Sequence, residues 1–397
     1  MKDLMALYVK LRSLVLFRNL LVDEVFLPLM NLLTSAKKSE AERVDAYAAF
    51  AARLFETTED WTDYIWRRIV ANENPYVYKR AGHEPISASL RVCLAAELAI
   101  LEELSQLDAH SVRQALKFSG YLPEWTTRPF AFAPAYEERM ANLRKVGYGI
   151  YAEHAMFHIE NGAIVPVQTP DPVRLHELKG YEHERVLVQA NTLALLNGKP
   201  AANTLLYGDA GTGKSSTVKA LVNEYEKEGL RLIEIKKHQL LLIPSILERL
   251  KDNPLRFVLY LDDLSFAESS EESGALKAML EGSAAARTKN VAIYATSNRR
   301  HIVNERFSDR EGGDVHRNET IEEQTSLSER FGLRVYFGKP DKEGYLSIVG
   351  ELLRQSGMDT TDDLLLQAER HALSRGGRSP RVAKQFVESL VTGERLS

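Results

Sequence analysis

Residues 208–215 read GDAGTGKS, a full match to the spacing G-x-x-x-x-G-K-[ST]. Residue types in that order can hold a chain of phosphates. Gly208, Gly211 and Gly213 let the backbone curl until successive N–H groups converge on phosphate oxygens. That assigns Asp209, Ala210, Thr212 and, inside the following helix, Ser216 to nucleotide binding. Lys214 adds a full positive charge aimed at the β- and γ-phosphates, and the Ser215 hydroxyl can ligate Mg²⁺. The flanks agree. The apolar strand NTLLY comes before, and a helix comes after with its positive end toward the same anion. A glycine-rich turn without a nucleotide is the plainer reading, and two correct flanks argue against it.

Further along, FVLYLDD is an apolar strand ending in carboxylates, as a Mg²⁺–triphosphate site needs. Asp262 is expected to join Ser215 at the metal, from behind the direct ligands or through a water. Asp263 stands where it can polarise an attacking water. The plainer reading is a strand followed by an acidic turn.

These residues need a scaffold, and from residue 200 onward the pattern is regular. Strands NTLLY, RLIEI, FVLYLDD, NVAIYATSN and LRVYF alternate with helical stretches such as QLLLIPSILERLKD and SGALKAMLEG. Such alternation predicts a parallel sheet covered on both faces. Residues 341–397 carry helical patterns without strands and predict a small lid. Residues 1–150 look mainly helical, with apolar residues at steps of three and four in LMALYVKLRSLVLF and SASLRVCLAAELAILEEL. Residues 151–177 form a hairpin and linker, with a turn at Asn161–Gly162. An α/β domain over 178–340 completes the division.

Composition bounds the reading. The chain has 397 residues, a net charge of −4 and one cysteine. Cys93 cannot form a disulfide within the chain and reads as a small residue on a buried helix face. The acidic balance gives no bulk support for nucleic acid. YIWRRIVANENPYVYKR interleaves aromatic and basic residues, and a helix with a solvated basic edge explains it more simply. His154 and His158, four apart, could share a helix face and a metal, but no third ligand is evident and packed or surface histidines are the expectation. No export signal opens the sequence and no uncharged apolar run reaches membrane-spanning length. The expectation is a cytoplasmic protein without a membrane partner.

With these residues in hand, the chain resembles the AAA+ ATPases. NVAIYATSN ends in Asn298, where that superfamily places a polar residue near the γ-phosphate. SLSERFG, residues 326–332, resembles the arginine-finger region of Holliday-junction motors and clamp loaders, with Arg330 as the match. SRGGRSPRVAKQF resembles the lid helix whose arginine, here Arg381, contacts phosphate. LKGYE, with Gly180 and Tyr181, looks like the segment packed against adenine. More narrowly, TSNRRH, DREGGDVH and SLSERFG are similar to an uncharacterised bacterial family of predicted ATPases, domain of unknown function 815.

The resemblance implies ATP and Mg²⁺ as cofactors, and hydrolysis to ADP and phosphate. It implies a ring-like homo-oligomer in which Arg330 reaches a neighbour's ATP, while Arg381 acts on its own. Lys214, Asp263, Asn298, Arg330 and Arg381 are the expected catalytic set. The N-terminal domain is expected to meet a protein partner. Two departures matter. The superfamily usually has Glu where this chain has Asp263, about 1.5 Å less reach, and a misplacement of that size can cost up to about 10²-fold in rate. Glu268 is a nearby helper. Where unfoldases carry an aromatic-x-Gly pore loop, this chain has KKHQLLLIP, which argues against polypeptide threading. Arg334 is a second finger candidate, though a strand position explains it as an outward residue. The charged segment 299–325, with Gly312-Gly313, reads as a surface loop or a nucleotide-responsive connection between Asn298 and Arg330. Three outputs stay open: a ring that remodels a protein partner, a less favoured nucleic-acid motor or loader, and a slow ATP-dependent switch.

Overall fold

The structure, a computed structural model, describes residues 3–264, 276, 280, 288–298 and 328–393. Glu268, most of SGALKAMLEG and the segment 299–325 lie outside the described residues. The chain divides into two compact units, Met1–Glu153 and His154–Ser397.

The first unit is helical among its described residues. Its helices begin where the sequence supplies caps. Ser39 and Glu42 form a reciprocal capping box ahead of the Glu40–Phe55 helix. Asp60 caps Trp61–Ala71, and Ser87 caps Ala88–Ser105. The apolar faces meet in a core with a chain of aromatic contacts. Phe50 stands edge-on to both Trp61 and Trp125, with ring centroids 5.2 and 5.0 Å away. The basic residues of YIWRRIVANENPYVYKR are mostly met by acids or rings: Arg67 by Asp63, Arg68 by Asp23 and the Tyr64 ring, Lys79 by Glu84. A solvated basic helix edge accounts for that pattern.

One buried carboxylate organises this unit. Glu97, 4% exposed, accepts hydrogen bonds from the backbone N–H groups of Val15 (2.8 Å), Leu16 (3.1 Å) and Phe17 (3.0 Å). Cys93 Sγ donates to the same side chain at 3.1 Å, so the lone cysteine packs at the core margin against Glu97. Glu97→Ala would leave three backbone donors without their acceptor, at about 1–3 kcal/mol for each that stays buried. We expect that variant to lose at least ~3 kcal/mol of stability, read as a lower denaturation midpoint for the N-terminal unit. An unchanged midpoint would show that the 15–17 loop is held by other contacts.

The second unit is built on a seven-stranded sheet. Its strands are β1 (Met156–Glu160), β2 (Ala163–Pro166), β3 (Thr204–Gly208), β4 (Leu230–Glu234), β5 (Arg256–Leu261), β6 (Val291–Ser297) and β7 (Leu333–Phe337). Their order is β2-β1-β4-β5-β6-β3-β7. All pairs are parallel except β1 with β2. The central strands β5 and β6 are buried along almost their whole length, as a sheet covered on both faces requires. Edge strand β7 alternates instead, with Arg334 and Tyr336 outward, the strand position expected for Arg334.

The sheet has two more strands than the periodicity of residues 200–340 shows. They come from the hairpin, whose turn residues Asn161 and Gly162 both carry positive φ (49° and 77°), as a two-residue type I′ connection demands. β1 then pairs in parallel with β4 and extends the sheet. This places His158 on a strand and His154 before it, so they share no helix face. Among the described residues no group of three or more His, Cys, Asp or Glu could hold a metal by itself.

Helices Glu182–Leu196 and Lys214–Tyr225 pack on the sheet core through Val188, Leu195, Val218, Leu221 and Val222. Helices Lys342–Gln355, Asp362–Ser374 and Pro380–Thr392 form a separate small core around Tyr345, Ala372 and Phe386. The Arg378–Glu369 ion pair buttresses it. Among the described residues no helix is long and apolar enough to cross a membrane.

Candidate functional site

β3 delivers the chain into the 208–215 loop at the C-terminal edge of the sheet, beside the ends of β6 and β7. Gly208 is held at φ 128°, where a Cβ would overlap the Phe337 carbonyl. That approach lets Asp209 N–H donate to Phe337 O at 2.9 Å. Asp209, 8% exposed, returns the tie: its carboxylate accepts Lys339 N–H at 2.8 Å. The loop is thus fastened through the main chain and side chain of Asp209 to the end of β7 and the residues just after it. The Thr212 hydroxyl donates to Asp209 O at 2.8 Å and closes the curl. Gly213 caps the Lys214–Tyr225 helix in a left-handed conformation, with no side-chain partner for the first turn. An anion is the partner such a helix start favours.

Lys214 is 4% exposed, and its Nζ donates to the carbonyls of Asp209 (2.6 Å) and Gly208 (3.3 Å). Burial pushes its amine down to about 8, against the pull of the Asp209, Asp263 and Asp262 carboxylates. In this state the loop's own carbonyls occupy the ammonium.

At the end of β5, Asp262 Oδ1 accepts from the hydroxyls of Thr296 (2.6 Å), Tyr260 (2.7 Å) and Ser215 (2.8 Å), and from Asp263 N–H (3.1 Å). Burial alone would raise the pKa of this carboxyl, but the three hydroxyls outweigh it and hold the group below its usual range. An ionised carboxylate beside a serine hydroxyl at a phosphate loop is an oxygen donor set that fits a hard divalent cation completed by phosphate and water. The structure brings Ser215 and Asp262, both assigned from the sequence to one metal, within hydrogen-bond distance of each other.

Asp263 follows in a left-handed backbone conformation, φ 51°. For a side chain with a Cβ that costs about 1–2 kcal/mol, least for Asp and Asn. Its N–H donates to Thr296 Oγ1 at 2.9 Å, and its Oδ1 accepts from Asn298 Nδ2 at 2.7 Å. Asn298 and Asp263, matched from separate parts of the sequence, thus meet directly.

The lid closes over the loop. Arg381 N–H donates to Gly211 O at 3.1 Å, and Ser379 caps the same helix. Lys339 Nζ donates to Gly376 O at 3.0 Å, a second link between the end of β7 and the lid. The Arg381 side chain is exposed, and its charge is felt at Lys214. Gly180 and Tyr181 both lie at positive φ (71° and 61°), and the Tyr181 ring stacks on Phe337 with its hydroxyl donating to Gly338 O at 2.6 Å. The 180–181 segment therefore rests against the end of β7, the strand to which the phosphate loop is tied. Arg330 lies apart from all of these. It precedes β7, whereas the loop abuts the other end of that strand, with Thr204 opposite Leu333 and Gly208 opposite Phe337.

Sequence reasoning missed Thr296, Tyr260 and Lys339. The first two are hydroxyl-bearing residues in runs otherwise read as buried strand, and Lys339 meets the loop through its backbone N–H and the lid through its ammonium.

A mostly parallel sheet with a phosphate loop after β3, next to the edge strand, acids at the end of β5 on the far side of β6, and a helical lid is the AAA+ fold of the P-loop nucleotide-binding proteins. Within that class, residues 152–394 match the model of the family described as "Protein of unknown function (DUF815)", and the chain belongs to that family. No curated protein matches the sequence. Among solved structures, the chain is similar to the RuvB Holliday junction branch migration motor of Thermotoga maritima. The two are 17% identical, over 56% of this chain and 65% of that one, with a TM-score of 0.38. It is similar also to PCH-2 of C. elegans (17% identical, 56% and 65% covered, TM-score 0.37) and to the FIGL-1 AAA domain in complex with ADP (17%, 57% and 74%, TM-score 0.39). The chain spans 65% of the length of the RuvB structure.

Proposed function

We propose that the protein binds ATP on residues 208–216 and hydrolyses it to ADP and phosphate. The observation that carries this reading is the 2.8 Å contact between Ser215 Oγ and Asp262 Oδ1, which joins the phosphate loop to the acidic strand end. Loop N–H groups and Lys214 hold the β- and γ-phosphates. Gly180 and Tyr181 flank the base. Ser215 and Asp262 hold Mg²⁺, which when bound neutralises phosphate charge. Asp263 accepts a proton as the oxygen of water attacks the γ-phosphorus. The bond to the β–γ bridging oxygen breaks and ADP departs. Asn298 orients Asp263, Arg381 stabilises the developing charge from the lid of the same chain, and Arg330 does so from a neighbouring copy.

In this reading the ATP-bound chains assemble into a hexamer-like ring that remodels a protein partner met by the N-terminal helical unit. The second reading, a slow switch, is favoured by the short Asp263 side chain and its engagement by Asn298 at 2.7 Å. Phosphate release with Mg²⁺ and ATP, followed beside solution mass by light scattering, tests both. We expect turnover, and a rise from the monomer's 44.8 kDa to a hexamer-like multiple with a non-hydrolysable ATP analogue. Turnover well below about one per minute, against the roughly 1–100 s⁻¹ typical of kinases, would favour the switch. A monomer in every nucleotide state would remove the ring.

A further inference from the structure

The phosphate loop and the acidic strand end do not by themselves fix where Asp262 and Asp263 point. Consecutive residues of a strand face opposite sides, and both carboxylates must serve one nucleotide. The chain solves this just past the last registered β5–β6 pair, Leu261 with Ala295. There the backbone turns left-handed at Asp263, and the next residue of β6, Thr296, meets the turn. Its hydroxyl accepts Asp263 N–H at 2.9 Å and donates to Asp262 Oδ1 at 2.6 Å, while its carbonyl accepts Leu264 N–H at 2.7 Å. Thr296 is 2% exposed, and its backbone is fixed between β3 and β5, with Leu206 as its partner on β3.

The geometry points to Thr296 as the positioning residue for the acidic pair, seconded by Tyr260, whose buried hydroxyl donates to the same Asp262 oxygen at 2.7 Å. The inference rests on the ATPase reading and names what makes that site competent. One hydroxyl links the two acids: it orients the metal-side carboxylate and pins the strained turn that aims the water-side one. A valine there keeps the β-branched shape but supplies neither donor nor acceptor. A serine keeps the hydroxyl and loses only a methyl. The Thr296 hydroxyl binds Asp262 and Asp263 and not the 208–215 loop, so its removal spares the loop assigned to phosphates.

The test compares wild type, Thr296→Val and Thr296→Ser in the full chain, with two readouts. The first is ADP affinity without and with Mg²⁺, and the second is phosphate release. For Thr296→Val we expect metal-free ADP affinity within about twofold of wild type. The Mg²⁺-dependent gain in affinity should fall about tenfold and kcat about 10²-fold, the scale set by a misplacement of about 1 Å. Thr296→Ser should recover most of both. Equal losses in valine and serine variants would make the residue a packing element and overturn the proposal. So would a valine variant with wild-type kcat and metal dependence. A wild type that binds ATP without turnover would sink the hydrolysis reading alone, because the Mg²⁺-dependent binding still reports on Thr296.

Discussion

Lys214→Ala is expected to lose measurable ATP binding, with affinity falling by about 10²-fold or more and no phosphate release. The side chain lies within the 208–215 curl, 4% exposed and within hydrogen-bond reach of two loop carbonyls. Its ammonium needs only to exchange those carbonyls for phosphate oxygens. Charge-assisted bonds contribute about 1.5–3 kcal/mol each, and every 1.4 kcal/mol is a factor of ten in affinity. The loop itself should survive, because Gly208 through Thr212 are fastened by Phe337 O, Lys339 N–H and the Thr212 hydroxyl, none of which involves residue 214. Fluorescent-nucleotide titration beside a thermal melt separates the outcomes. Wild-type affinity in a folded variant would remove the nucleotide site from residues 208–216. Lost affinity with a collapsed melting temperature would instead make Lys214 a structural plug for the loop.

The loop was legible because its chemistry is local: eight consecutive residues carry the curl, the charge and the hydroxyl, and the flanking periodicities place them. Asp262 was legible for the same reason, as a carboxylate closing an apolar run. The hairpin turn at Asn161–Gly162 could be read, but its place in the sheet could not. β1 pairs with β4 across a wide sequence separation, and parallel pairing leaves no short-range signal. The histidine spacing suggested a helix face because four-residue steps suit a helix, yet the strand pairing decided otherwise. Thr296 and Tyr260 were read as strand residues because β-branched and aromatic types are ordinary there. Their hydroxyls acquire meaning only when β5 and β6 lie side by side. The left-handed turn at Asp263 was equally silent, although Asp is one of the few residues that tolerate it. Glu in its place would extend the reach and raise the strain together, so shorter reach and turn geometry at this position are physically linked.

Arg330→Ala is expected to bind ATP with wild-type affinity and to hydrolyse it at least about 10³-fold more slowly, the scale an arginine finger contributes in related phosphoryl transfer. The argument for a neighbour's site is geometric. β7 runs parallel to β3, with Leu333 opposite Thr204 and Phe337 opposite Gly208. Arg330 precedes the first pair, and the phosphate loop follows the second. The strand between them spans about 13 Å at ~3.3 Å per residue, before the rest of the turn is counted. That separation favours the proposed role in which its guanidinium, a planar donor fork matched to phosphate oxygens, serves a nucleotide held by another copy. Mixing provides the decisive test. Arg330→Ala keeps the binding site and lacks the finger, and Lys214→Ala keeps the finger and lacks the site. In a head-to-tail ring, equal random mixing sets a competent site against a competent finger at about one interface in four. Two silent variants should therefore regain a measurable fraction of wild-type turnover when combined. If the mixture stays silent while each variant still assembles with wild type, Arg330 serves its own chain, within the turn that Phe331 N–H closes on Ser328 O ahead of β7.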